Sequence, residues 1–142
     1  WLHDFVNLPK DHPDRAKASL LSADEAVNFL KKINYPEMFL AGIHHAILAH
    51  SFSANIKPMT IEAEIVQDAD RLDALGAIGI YRLLTVSSSM KSDLKSAIFH
   101  VEEKLRPITF MMNTAYGKSE ALKRLNVIED FIRQLKQEKF EL

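Results

Sequence analysis

Two separate motifs carry the side chains of this chain that are best suited to chemistry. One is His3-Asp4, within Trp-Leu-His-Asp-Phe-Val, and the other is Asp68-Ala-Asp-Arg-Leu-Asp73. Both lie in strongly apolar sequence, where burying a lone carboxylate costs free energy unless a cation or hydrogen-bond donors compensate it. A divalent metal ion would compensate several carboxylates at once. The two motifs therefore point to a metal centre.

The amino-acid composition limits which ligands and partners are available. Cysteine is absent from the 142 residues, which excludes disulfides and thiolate metal sites and leaves His, Asp and Glu as the strong ligands. Hard or borderline divalent ions suit this set, which does not distinguish among them. The net charge is −1, and Lys and Arg are scattered, which argues against polymeric nucleic acid or a membrane surface as the partner. We expect a cytoplasmic protein.

Helices must position these residues, because helical spacing of apolar side chains runs through nearly the whole chain and sustained strand alternation is missing. The sequence therefore predicts an all-α fold with one domain over residues 1–142. In the first half of the chain, the predicted helices are the end of a helix at Trp1–Leu8, residues 26–33 after a capping box at Ser22–Glu25, and residues 37–50. In the second half, they are a stretch from Thr60 to about Ser87 that bends near Gly76 and Gly79, one helix that ends near Pro107, and residues 114–138.

The second acidic motif falls on the predicted helix after Thr60. Asp68 lies on its apolar stripe, whereas Asp70 and Asp73 lie three positions apart on an adjacent face. The other members of the stripe are Ile61, Ile65, Leu72 and Leu75. One interpretation makes the acids a solvated helix edge that pairs with Arg71. The small residues after Asp73 favour an inward face instead, because they let helices approach closely.

Histidines and basic residues add candidate ligands for an anion or a metal. The predicted helix over residues 37–50 carries His44, His45 and His50. A single histidine on such a helix is usually a hydrogen-bonded structural residue, but three within seven positions favour a functional role. His12 lies in a polar loop beside Lys10 and Arg15, where these groups could bind phosphate oxygens or be ordinary solvated charges.

Four segments together resemble the HD-domain superfamily of metal-dependent phosphohydrolases. They are His3-Asp4, the loop from Asn7 to Arg15, the segment from His45 to Ser53, and the segment from Ile65 to Gly79. They are most similar to the bacterial branch of small predicted hydrolases that includes nucleotide pyrophosphohydrolases. The resemblance covers essentially the whole chain. It implies a single-domain HD-type helical bundle that binds one divalent metal ion, Mn, Mg, Co, Ni or Fe.

The resemblance also implies roles for individual residues. Carried over by motif position, His3, Asp4 and Asp70 are the metal ligands. Asp4 or Asp70 also helps to orient the attacking water, and His45 or His50 faces the phosphate. The implied reaction is hydrolysis of a phosphoester or phosphoanhydride bond in a small phosphorylated substrate, expected to be a nucleotide.

The substrate side and the choice of acid complete these expectations. Lys10, His12 and Arg15 are predicted to neutralise phosphate oxygens, and Asp73 to lie at the substrate. Periodicity alone favours Asp68 as the inward residue, whereas the motif favours Asp70.

One departure from the family pattern keeps a second function open. The family's first ligand histidine lies on the helix before the His-Asp pair, and we expect the chain given to lack that helix. A catalytically impaired nucleotide-binding or regulatory HD domain is therefore the alternative, and a homodimer is also considered. The motifs His-Glu-x-x-His and Gly-x-Ser-x-Gly are absent, which argues against a zinc protease or an acyl-transfer enzyme.

Overall fold

The computed structural model describes residues 2–9, 12–89 and 94–138. All regular elements in these ranges are helical, which confirms the all-α prediction. They are a 3-10 turn at Arg15–Lys17, α1 Ala18–Lys32, a 3-10 turn at Glu37–Phe39, α2 Leu40–His50, α3 Ile61–Asp73, α4 Gly76–Ser89, α5 Leu94–His100, a π-helical turn at Val101–Leu105, α6 Arg106–Thr109 and α7 Ala115–Gln137. No helix in the described ranges is long and apolar enough to cross a membrane.

The chain forms two compact units, Trp1–Gln67 and Asp68–Leu142, and the division falls within α3. In the N-terminal unit, α1 packs against α2. The buried contact residues are Ala23, Ala26 and Ile47, with Leu2, Ile43 and Leu48 packed against them. Small residues on α1 allow this close packing of the two helices.

The start of α1 differs from the predicted capping box at Ser22–Glu25. The helix begins at Ala18, so Ser22 lies inside it and is only 1% exposed. The Ser22 hydroxyl accepts a hydrogen bond from the Val6 N–H at 3.0 Å and donates to the Val6 carbonyl at 3.3 Å. The prediction of a cap was wrong because the hydroxyl binds the N-terminal segment instead. That segment, residues 2–9, forms turns and not the predicted helix end.

The C-terminal unit contains the second half of α3 and the helices that follow it. The predicted bend near Gly76 is a complete break, since α3 ends at Asp73 and α4 begins at Gly76 with φ +71. Its core consists of Leu72, Leu75, Ile98, Val101, Leu105, Ile108, Met112, Ala121, Ile128 and Ile132. The prediction that α7 begins next to Thr114 is confirmed, because the Thr114 hydroxyl accepts a hydrogen bond from the Gly117 N–H at 2.9 Å.

Candidate metal centre

His3 and Asp4 lie in a turn and not on a helix. The turn is closed by the Phe5 N–H, which donates to the Leu2 carbonyl at 3.2 Å, and Ser22 of α1 holds Val6 just after it. Nε2 of His3 lies 3.4 Å from a carboxylate oxygen of Asp4. The side chain of Asp4 is 72% exposed, whereas that of His3 is mostly covered. The turn therefore presents an imidazole and a solvent-accessible carboxylate side by side.

His50 is the last residue of α2 and joins this pair. Its side chain is 6% exposed, and its ring lies edge-on to that of His3 with centroids 4.9 Å apart. Nδ1 of His50 lies 2.5 Å from the Ile47 carbonyl oxygen, and a carbonyl can only accept, so Nδ1 carries the proton. In the neutral ring this tautomer leaves the lone pair on Nε2, which is 3.6 Å from Asp4. Neutral imidazole with a free Nε2 is the form that binds metals.

Asp70, near the end of α3, completes a group with the chemistry of a metal site. One ligand atom from each of His3, His50 and Asp70 lies within 4.8 Å of the others. Two imidazoles and one carboxylate fit Zn²⁺, Mn²⁺, Fe²⁺, Co²⁺ or Ni²⁺. The residues present therefore fit a divalent cation.

The group differs by one residue from the ligand set implied by the resemblance, His3, Asp4 and Asp70. It includes His50, which the sequence placed beside the phosphate. Asp4 lies next to both imidazoles, with one oxygen 3.4 Å from His3 and the other 3.6 Å from His50. The assignment of Asp4 as a ligand stays a prediction. The signal for His50 in the sequence was its position at the end of a helix that carries three histidines.

Asp68 and Asp73 lie on the same motif as Asp70, but each is paired with residues elsewhere in the chain. Asp68 is 3% exposed and binds the polypeptide just before α7, through Asn113 and Thr114. Asp68 is inward, as the periodicity predicted, and it is bonded to protein. The prediction of one buried stripe is wrong for the first half of α3, where Ile61 and Ile65 are more than half exposed. Asp73 is exposed and forms an ion pair with Arg82. Its predicted role at the substrate stays a prediction.

One interpretation of the sequence made Arg71 an exposed partner of the neighbouring aspartates. That interpretation is wrong for Arg71, which is buried. One guanidinium nitrogen donates to the Met111 carbonyl, and within the described residues its Nε has no hydrogen-bond partner. Burial lowers the pKa of Arg71, and the charges of Asp68 and Asp70 oppose that shift. Sequence pattern alone does not reveal this burial, because an arginine between two acids looks like an exposed ion pair.

The other predicted histidines make hydrogen bonds within the N-terminal unit. Nε2 of His45 accepts a hydrogen bond from the Met59 N–H at 2.9 Å, so His45 supports the loop that leads to α3. Nε2 of His44 lies 2.9 Å from a carboxylate oxygen of Asp24 on α1. The predicted catalytic role of His45 stays a prediction.

The predicted phosphate loop follows the His-Asp turn. Nδ1 of His12 accepts a hydrogen bond from the Asp14 N–H at 3.1 Å, and Arg15 donates from Nη1 to the Leu8 carbonyl at 2.5 Å. These bonds shape the loop and leave the remaining guanidinium N–H groups of Arg15 for other partners. Lys10 lies outside the described residues.

Comparisons with known proteins identify the family of this chain. The HD domain family profile matches residues 1–75. YpgQ of Bacillus subtilis is 32% identical to this chain over an alignment of 145 positions, and the alignment covers 96% of this chain and 68% of YpgQ. The crystal structure of YpgQ has a TM-score of 0.79 and 31% identity, and the match covers 99% of this chain and 73% of the YpgQ chain.

Two further structures add information about relatives. YpgQ has also been solved in complex with ADP; that structure has a TM-score of 0.78 and 32% identity and covers 99% of this chain and 71% of its own. An HD-superfamily hydrolase from Bacillus thuringiensis has a TM-score of 0.72 and 30% identity over the same shares of the two chains. The family match spans more than half of the sequence and includes both acidic motifs. The chain belongs to the HD domain family.

Proposed function

We propose that this protein is a metal-dependent phosphohydrolase that cleaves a phosphoester or phosphoanhydride bond in a nucleotide. The observation that carries the proposal is the grouping of His3, His50 and Asp70, with the tautomer of His50 set by Ile47. Membership of the HD domain family supports it, and so does the likeness to a structure described as an HD-superfamily hydrolase.

The residues of the group divide the chemical work in this proposal. A divalent ion, when bound, would lower the pKa of a coordinated water toward neutrality and offset negative charge on phosphate oxygens. His3 and His50 would hold this ion through imidazole nitrogens, and Asp70 would hold it through a negatively charged carboxylate. Asp4 is largely exposed and lies beside both imidazoles. It is therefore placed to accept a proton from water or to orient it.

Two observations support a nucleotide as the substrate. YpgQ has been solved with ADP, a nucleoside diphosphate, and its structure matches 99% of this chain. The loop that follows the His-Asp turn carries Arg15, whose planar guanidinium suits phosphate oxygens. Arg15 uses one nitrogen for Leu8 and offers its remaining N–H groups to a phosphate. His12 lies on the same loop and adds a second potential donor.

A hydrolysis screen tests the proposal directly. Nucleoside triphosphates, diphosphates and monophosphates are incubated with the protein and Mn²⁺, Mg²⁺, Co²⁺ or Ni²⁺, and phosphate and pyrophosphate release are measured. We expect metal-dependent release that Asp70→Asn abolishes, whereas Asp130→Asn, an exposed acid on α7 paired with Arg133, leaves it unchanged.

Two results would contradict the enzyme. Turnover that persists in Asp70→Asn would contradict the role of Asp70 as a metal ligand. Nucleotide binding without release under every metal would favour a regulatory HD domain over a hydrolase. Titration with ADP followed by calorimetry separates this second result from a simple lack of binding.

A further inference from the structure

The carboxylate of Asp68 is saturated by hydrogen bonds from one short stretch of chain. Oδ1 accepts from the backbone N–H of Asn113 at 2.8 Å and from its side-chain amide at 3.0 Å. Oδ2 accepts from the backbone N–H of Thr114 at 2.8 Å and from its hydroxyl at 2.7 Å. Four donors on two oxygens hold this carboxylate in one position.

The stretch that binds Asp68 is the entry to α7. Helix N-termini favour negative charge, because unpaired N–H groups and the helix dipole point toward them. Gly117, in the first turn of α7, packs so tightly against Asp68 that an added Cβ would overlap Oδ2. Thr114 also caps the helix through Gly117. The close approach of Asp68 to α7 therefore depends on glycine at this position.

Two more polar contacts hold the same end of α3. Arg71 donates to the Met111 carbonyl, and Arg124 of α7 donates to the Leu72 carbonyl at 2.7 Å. Together with Asp68, these contacts fix both the position of the end of α3 along its axis and its rotation about that axis.

Rotation of α3 decides where Asp70 points. Residues two apart on a helix project about 200° from each other, so Asp68 and Asp70 leave the helix on nearly opposite sides. With side chains roughly 6 Å from the axis, each 10° of rotation moves a carboxylate by about 1 Å. A displacement of this size is enough to spoil a ligand or catalytic geometry.

We propose that Asp68 is a positioning residue for the metal site: by binding the start of α7, it sets the direction of Asp70. This inference rests on the proposed function, in which Asp70 is a metal ligand. Asp68 itself does not touch the ion, since both of its oxygens are occupied by Asn113 and Thr114. It acts through the rigid helix that it shares with Asp70.

Two variants break the same contact from opposite sides. Asp68→Asn replaces one acceptor oxygen with an amide N–H₂, which cannot accept the hydrogen bonds that Asn113 and Thr114 donate. Gly117→Ala forces a methyl group against Oδ2 of Asp68 and leaves the sequence of α3 unchanged. The affinity for Mn²⁺ is measured from the electron paramagnetic resonance of the free ion, well below the melting temperature of each variant. We expect both variants to weaken binding by about 10–100-fold, as for other residues that orient ligands.

Controls separate positioning from general stability. Ile128→Val shortens a fully buried side chain on α7 that belongs to the same core, and it should lower the melting temperature without changing Mn²⁺ affinity. Gly42→Ala adds a methyl group where nothing lies within 4 Å, and it should leave affinity unchanged. Should Asp68→Asn fail to fold by circular dichroism, Thr114→Val removes one of the four donors and is measured instead.

The outcomes are distinguishable. Weaker binding in the Asp68 and Gly117 variants, with normal binding in Ile128→Val, supports the inference. Normal binding in both variants, with binding lost in Asp70→Asn, overturns the inference and leaves the metal site standing. Equal losses in Ile128→Val overturn it too, since the effect would then be one of stability. An unaltered chain that does not bind Mn²⁺ contradicts the proposed function and this inference together.

Discussion

Nδ1 of His50 lies 2.5 Å from the carbonyl oxygen of Ile47, one turn earlier on α2. The last four carbonyls of a helix have no partner within the helix, and Ile47 provides one of them. The unsatisfied end of α2 thus holds the imidazole and directs its lone pair away through Nε2. A partner of this kind fixes both the tautomer and the ring orientation of a metal ligand. The helix end would therefore orient His50 toward a metal ion without the help of another side chain.

Replacing His50 should therefore remove a ligand. We expect His50→Ala to weaken Mn²⁺ binding by more than about 100-fold, above the range seen for residues that only orient ligands. The measurement is the resonance of free Mn²⁺ in a titration. His44→Ala is the matched control, because His44 lies on the same helix and pairs with Asp24. Binding that is equal in the two variants would contradict a ligand role for His50.

Ser22 should matter because its hydroxyl holds the His-Asp turn through Val6. Ser22→Ala leaves the N–H and carbonyl of Val6 without this partner, and we expect a loss of about 1 kcal/mol in the free energy of unfolding. Mn²⁺ binding should weaken as well, since His3 lies on the same turn. Urea unfolding and Mn²⁺ titration check both effects. Ser19→Ala, one turn earlier on α1, is the control and should retain metal affinity.

Much of the fold was predictable because local chemistry determines it. Thr60 caps α3 through the Ala63 N–H, and Thr114 caps α7 through the Gly117 N–H, so both helix starts could be inferred from the sequence. The sequence predicted a bend near Gly76, where the structure has a complete break with a positive φ that suits glycine.

Other features depend on partners far away in the sequence. A capping box at Ser22 is a correct local pattern, yet the hydroxyl binds Val6, 16 residues earlier. Helical periodicity favoured an inward Asp68, but it could not reveal that the partners of Asp68 are Asn113 and Thr114. The motif pointed to Asp70 as the ligand, which stays a prediction, and the positions of these partners show that Asp68 is bonded to protein.

Gly42 provides a test of the helix itself. It lies within α2, its φ is not positive, and an added Cβ would meet nothing within 4 Å. Because glycine loses more backbone entropy on folding than alanine, we expect Gly42→Ala to raise the free energy of unfolding by about 0.5–1 kcal/mol. Urea denaturation measures the change. A decrease would contradict an exposed helical position for this residue.

The ion pair of Glu129 and Arg106 should make stability depend on pH. The hydrogen bond from Arg106 lowers the pKa of Glu129 below its usual 4.5, with nitrogen–oxygen distances of 2.5 and 2.9 Å. The folded state therefore binds a proton less readily than the unfolded state. The resulting stability is present above pH 4.5 and is lost as the pH falls through the lowered pKa.

Glu129→Gln isolates this contribution. Both partners are more than a third exposed, so we expect the variant to lose less than about 1 kcal/mol at pH 7. As the pH falls from 4.5 through the lowered pKa of Glu129, the unfolding curves of the two proteins should converge, because Glu129 becomes neutral first in the unfolded state and then in the folded state. Urea unfolding at pH 7 and pH 3 measures the two differences. A stability difference that is the same at both values would show that the effect comes from packing and not from the charge.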